Sequence, residues 1–272
     1  MQFKVQPLGQ SAWRIIMPGV CSYYIQGREA GLLIDTGWGY GSLKELVDSL
    51  ALTPYQVILS HGHCDHGGGA GEFSSVYLPR KDQTLATYSC SKEVRLKLLG
   101  RLLKDRTLED QDLLNPAEQY LLYDEGLTFD LGGITVSAVE AGGHTQGIMC
   151  FILPELQTVL YGDAIMNPTQ LSQPSATSIE SYLINLCQLK DHLQSMDIHY
   201  AWINHHPYEV SPQTLDANIF WCQRILAGDD DQICKDHWDF CLARNKAIDH
   251  GPLANLGNIA YNPNRIFKEL GE

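Results

Sequence analysis

Positive charge is scarce in this 272-residue chain, in which 19 lysines and arginines face 32 aspartates and glutamates for a formal net charge of −13. Such a balance provides no broad cationic face for a phosphate backbone or an anionic lipid, so no nucleic-acid partner and no membrane partner is expected. Long apolar runs are missing too. No stretch approaches the roughly twenty apolar residues that a membrane-crossing helix needs, and Met1-Gln2-Phe3-Lys4 does not open like a signal peptide. The expectation is a cytoplasmic protein that meets a small-molecule substrate. Eight cysteines are scattered without a Cys-x-x-Cys pair, which argues against a disulfide scaffold at this length and for reduced, mostly buried thiols. There is no Gly-x-Ser-x-Gly turn to expose a serine nucleophile and no His-Glu-x-x-His helix pair.

Imidazole, by contrast, is concentrated. His61-Gly62-His63-Cys64-Asp65-His66 follows the apolar run Tyr55-Gln56-Val57-Ile58-Leu59 and precedes three glycines. His61 and His63, two apart on a segment leaving a strand, project to one side and can grip one cation, while Asp65 and His66 turn the other way. Nitrogen and carboxylate donors of this kind suit zinc, iron or manganese. Cys64 is expected to alternate away from the ligands as a small packed residue. Further donors sit at the ends of other predicted strands. His144 lies in a tight loop after 134–139, Asp163 closes 158–161 where it can bridge two metals, and the pair His205-His206 ends 200–203 before Pro207. One of that pair supplies the last ligand. His192, His199, His237 and His250 have no companion donors in sequence and read as surface or capped residues, with His237 and His250 kept as pocket candidates.

Taken in order, Leu32-Leu33-Ile34-Asp35-Thr36-Gly37, the 61–66 segment, Gly143-His144-Thr145, Gly162-Asp163 and His205 resemble the metallo-β-lactamase superfamily over about residues 10 to 210. The resemblance implies that His61, His63 and His144 hold one metal, that Asp65, His66 and His205 hold a second, and that Asp163 bridges them. It also implies that Asp35 orders the ligands without being one. The last ligand of the family usually stands in Gly-His-Gly. Here Asn204 and His206 replace the glycines, so His205 is the better register and His206 stays open.

The implied cofactors are two divalent metal ions, zinc first, with iron or manganese as alternatives. Two dications sharing a carboxylate make a water acidic enough to be hydroxide at neutral pH, so no protein nucleophile is required. Asp163 and Asp65 are the candidate catalytic carboxylates, the latter as a proton shuttle. A carboxylate at position 163 disfavours antibiotic hydrolysis within the family and favours the glyoxalase II and lactonase-like branch. The expected reaction is hydrolysis of a small-molecule ester, lactone or thioester. The alternatives are a phosphodiesterase and a mononuclear-iron sulfur dioxygenase on the same scaffold.

The coarse reading is α/β. Strands are expected near 3–7, 12–17, 20–26 and 31–35 as an antiparallel meander, and helices over 42–51, 178–195 and 212–227. The resemblance implies a four-layer αββα sandwich in a single domain spanning 1–272. A helical insertion with a basic stripe is expected at 90–122. An acidic C-terminal extension at 228–272 is expected to fold over the pocket, with Trp238 or Tyr261 as an apolar wall.

Overall fold

Apolar and β-branched residues on both sides of tight turns make the N-terminal part of the chain a meander. The computed structural model describes residues 3–104, 107–237 and 239–268. Lys4–Pro7 (β1), Ala12–Met17 (β2), Val20–Gln26 (β3) and Gly31–Ile34 (β4) pair antiparallel in succession. Gly19 turns β2 into β3 with φ 74°, a value that disfavours a side chain. Every residue of β3 and β4 is buried, which is what strands covered on both faces require.

The connection then changes from hairpin to crossover. Leu43–Leu50 (α1) starts where the Ser42 hydroxyl accepts from the Glu45 amide at 3.1 Å, a standard N-cap that satisfies one orphan donor. It buries Leu43 and Val47 and returns the chain to Tyr55–Ile58 (β5). β5 lies parallel to β4 with Ile34 opposite Ile58, so the segments leaving both strands emerge at one edge. Carboxyl ends of parallel strands are where α/β proteins build sites. After Cys64–Gly67 (α2) come Tyr77–Pro79 (β6), Gln83–Ser89 (α3), Lys92–Leu102 (α4) and Leu121–Tyr123 (β7). These complete a seven-stranded sheet in order β1-β2-β3-β4-β5-β6-β7. Thr128–Asp130 (β8) pairs with the first half of Thr135–Glu140 (β9). Ile15, Tyr24, Leu33, Val57, Leu59 and Leu78 form the middle of the core here.

Two compact units divide the chain, Met1–Ser137 with Asn204–His206, and Ala138–Ile203 with Pro207–Glu272. In the second, Met149–Leu153 (β10), Thr158–Leu160 (β11), Thr169–Leu171 (β12), Ile179–Leu193 (α5), Tyr200–Trp202 (β13), Glu209–Val210 (β14) and Thr214–Ala227 (α6) follow β9. Ile233–Cys234 (β15), Cys241–Leu242 (β16) and Ile259–Tyr261 (β17) complete it. One sheet here runs β14-β13-β11-β10-β9 and another β12-β17-β16-β15. α5 and α6 pack on each other, and Trp221 of α6 is fully buried while its indole donates to Ala254 O at 2.9 Å.

Three expectations need correction. Among the described residues of 90–122, helix is confined to α4 and a single turn at Asp110–Asp112, and the supposed basic stripe loses Arg95, whose side chain is buried. The C-terminal extension is a sheet component, because β17 runs parallel to β12 with Gln170 opposite Ala260. Tyr261 is buried there with its hydroxyl on Asp230, and Trp238 lies outside the described residues. Cys234 and Cys241 form a disulfide across the β15–β16 hairpin. Their separation of seven escaped a search for Cys-x-x-Cys. Of the remaining cysteines five are buried and Cys187 is exposed. Among the described residues no helix is long and apolar enough to cross a membrane.

Candidate metal centre

The loops leaving β4 and β5 are joined by one buried carboxylate. Asp35, with φ 65° in the left-handed region that aspartate tolerates, accepts on Oδ1 from the Ser60 amide at 2.7 Å. Its Oδ2 accepts from Ser60 Oγ at 2.9 Å, His66 Nδ1 at 2.9 Å and Asn204 Nδ2 at 3.0 Å. A carboxylate can only accept in these contacts, so His66 carries its proton on Nδ1 and turns a lone pair outward on Nε2. Asp35 thus fixes the His66 ring from behind.

The same logic extends to the neighbouring rings. Ser60 Oγ gives its proton to Asp35 and therefore accepts from His61 Nδ1 at 3.0 Å, which leaves the His61 lone pair on Nε2. That nitrogen stands 3.1 Å from His63 Nδ1. His63 is the extended residue before α2, and the helix then swings Asp65 and His66 round as expected. His205 Nδ1 donates to Gly19 O at 2.6 Å, so its Nε2 is the free-electron side, 3.5 Å from Asp65 Oδ2. His66 Nε2 lies 3.7 Å from the same oxygen, and one donor atom from each of Asp65, His66 and His205 falls within 4.8 Å of the others. His205 is thus the member of the pair that joins Asp65 and His66, while His206 is exposed.

The donor set fits a divalent metal. Four-coordinate zinc with ligands at 2.0–2.1 Å separates its ligand atoms by about 3.3 Å, close to the distances of 3.1, 3.5 and 3.7 Å found here. Each ring whose far nitrogen has an acceptor is held in the tautomer that leaves the other nitrogen available. Cys64 is 2% exposed, and burial pushes its thiol up to about 11, so it is a packed thiol.

Backbone contacts hold this loop from below. Thr36 donates to His66 O through both its amide and its hydroxyl. A Cβ on Gly69 would stand 2.4 Å from Thr36 O, which explains the glycine run as a place of close backbone approach. Arg95 of α4 donates through Nη1 to Trp38 O and Gly68 O at 3.0 and 2.8 Å and through Nη2 to Leu114 O at 2.7 Å. Ser60, Thr36, Arg95 and Asn204 escaped the sequence reading as site-building residues. Asn204 had left a trace, because it stands where the family pattern has glycine.

The second unit presents His144 and Asp163 together. Their facing atoms, Nε2 and Oδ2, are 3.6 Å apart, and the residues are 6% and 3% exposed. His144 Nδ1 donates to Gln170 O of β12 at 2.8 Å, again directing Nε2 toward the carboxylate. α5 braces both loops. Tyr182 donates to Ala164 O at 2.6 Å, its ring leaves no room for a Cβ on Gly143, and Asn185 Nδ2 donates to Gly142 O at 2.7 Å. Elsewhere His199 pairs with Asp197 and His250 with Asp231, at 2.8 and 2.7 Å, while His237 is exposed.

Comparison with known proteins gives a consistent result. The model of the family described as the metallo-beta-lactamase superfamily matches residues 18–200. A lactamase-like protein, ptaB, of Pestalotiopsis fici is 29% identical over 163 residues, 58% of this chain and 44% of that protein. An atrochrysone carboxyl ACP thioesterase of Aspergillus terreus is 28% identical, over 58% of this chain and 42% of its own length. The chain therefore spans less than half the length of these two curated relatives. Among solved structures, a metallo-beta-lactamase from Pontibacter korlensis superposes with TM-score 0.61 at 17% identity, covering 82% of this chain and 99% of that one. The mono-zinc form of the metallo-beta-lactamase FIM-1 from Pseudomonas aeruginosa gives 0.58 at 16%, covering 82% and 96%. The likeness bears out the α/β fold class expected from sequence.

Proposed function

Since the chain belongs to the metallo-β-lactamase superfamily, we propose that it is a metal-dependent hydrolase whose substrate is the thioester of a carboxylic acid with a pantetheine-type thiol. The observation that carries the reading is the set of imidazoles held by Asp35, Ser60 and Gly19 with their lone pairs directed at Asp65 or at one another. The thioester preference draws on relatives named for that activity on a carrier protein, and on Asp163, whose carboxylate departs from the antibiotic-hydrolysing pattern. His61, His63 and His144 would hold one metal, Asp65, His66 and His205 a second, and Asp163 both. A set of nitrogen and oxygen donors without thiolate suits zinc, with iron or manganese as alternatives.

When bound, such metals would lower the pKa of a water and polarise the substrate carbonyl. The chain's own contribution is preorganisation. Asp35 keeps the His66 proton on Nδ1, Ser60 does the same for His61, Gly19 O for His205 and Gln170 O for His144. Asp65 would pass a proton toward the departing thiol. The net reaction breaks the C–S bond, with water supplying hydroxyl to the acyl carbon and a proton to sulfur.

The test is to purify the protein without added metal and quantify its metals. It is then assayed on an acyl-pantetheine, the matched oxygen ester, a lactone and a phosphodiester. Thioester hydrolysis that vanishes on chelation and returns with zinc or manganese is expected. Metal-replete protein that leaves every thioester intact, or that consumes oxygen with a persulfide, would overturn the reading.

A further inference from the structure

α4 and the two residues that follow it carry Lys92, Arg95, Lys97, Arg101 and Lys104, five of the 19 basic residues of the chain. The structure sorts them. Arg95 is buried as the clamp on Gly68 O, and Lys92 reaches Asp110. Lys97, Arg101 and Lys104 are exposed, and among the described residues none of their side chains makes an ion pair or hydrogen bond. Beside them on the helix surface Leu98 and Leu102 are 39% and 47% exposed. Positions 97 and 101, like 98 and 102, are one turn apart, so two cations and two leucines form one continuous strip.

This strip borders the metal-binding loops. The buried side of α4 grips the segment just after His66 through Arg95. At the other end an ideal Cβ on Gly19 would stand 2.9 Å from Leu102 Cδ2, and Gly19 O is the acceptor that orients His205. A macromolecule seated on the strip would therefore lie beside the turn that orders a proposed ligand. In a chain of net charge −13, a local run of unpaired cations interleaved with exposed leucines selects an acidic partner with an apolar stripe.

We propose that Lys97, Leu98, Arg101, Leu102 and Lys104 form the docking face for the acidic helix of an acyl carrier protein, which presents its thioester-bearing arm to the metal site. The inference rests on the thioesterase reading above and adds the partner and the surface. Charge attraction would speed and orient the encounter, and the leucines would supply the apolar contact that persists once salt screens the charges.

The experiment separates docking from chemistry. An acidic acyl carrier protein, bearing an octanoyl thioester on its phosphopantetheine, serves as one substrate, and octanoyl-pantetheine without protein as the other. Binding of the unacylated carrier is measured by fluorescence anisotropy. K97E/R101E should weaken carrier binding and raise KM for the carrier-bound thioester by about tenfold or more, with kcat/KM on octanoyl-pantetheine unchanged. K246E, which makes one comparable charge reversal elsewhere on the surface, should alter neither. Unchanged carrier binding by K97E/R101E, or an equal loss in K246E, would overturn the docking face even if both thioesters are hydrolysed. Failure to hydrolyse octanoyl-pantetheine, with carrier binding still lost in K97E/R101E, would overturn the thioesterase reading and leave the docking face standing.

Discussion

At the scale of single residues, the centre depends on which nitrogen of each imidazole carries the proton. Asp35 accepts four contacts from three residues. Asp35→Asn turns one oxygen into a donor, which must then face an amide, a hydroxyl or His66 Nδ1. The expected result is a loss of metal affinity of about 10- to 100-fold with the fold retained, read by competition with a chromogenic chelator and by circular dichroism. Asp163→Asn keeps size but removes a negative charge that, in the proposed centre, would offset two cations. Turnover should fall at least about a hundredfold while part of the metal stays bound. Near-normal turnover with two metals present would remove Asp163 from its bridging role. His205→Ala should lower metal occupancy and activity together, and His206→Ala, which changes an exposed side chain, should not; the reverse pattern would transfer the assignment to His206.

At the scale of elements, helices act on the site through single buried contacts. Arg95 ties α4 to the carbonyls of Trp38, Gly68 and Leu114. Arg95→Met preserves much of the apolar stem but deprives those carbonyls of their donor, an effect of about 2–4 kcal/mol when the groups are buried. Urea denaturation should show that loss, and metal affinity should drop with it because Gly68 lies two residues beyond His66. The hairpin of β15 and β16 is stapled by Cys234 and Cys241, a loop short enough that the chain-entropy contribution is about 2.5 kcal/mol. The paired substitution of both by serine should lower the melting temperature, with little effect on metal content.

For the whole molecule, metal binding and stability are linked. A ligand held at a thousand times its Kd adds about 4 kcal/mol to folding, and for a chain of this size each kcal/mol shifts the melting temperature by a few degrees. Removal of metal by a chelator should therefore lower the melting temperature by about 10 °C, and adding zinc back should restore it. An unchanged melting curve, with metal shown to have left, would mean that the imidazoles are ordered without it.

The candidate donor types, their order along the chain and the α/β alternation were legible in sequence, because local pattern dictates them. An apolar strand ends where a histidine or aspartate begins, as at Leu59, Tyr161 and Ile203, and helical spacing marks α1, α5 and α6 to within a few residues. The partners that orient the ligands were not legible. Gly19 O, Gln170 O and Asn204 Nδ2 lie far in sequence from most of what they touch, and a backbone carbonyl leaves no mark on residue type. Arg95 looked like one more surface cation until packing buried it, and the Cys234–Cys241 bond depended on a hairpin that brings the two strands into register. Residue chemistry is written locally and so can be read locally. Tautomer, clamp and cross-link depend on which distant segments the fold places side by side, and that placement sets His205, rather than the exposed His206, beside Asp65.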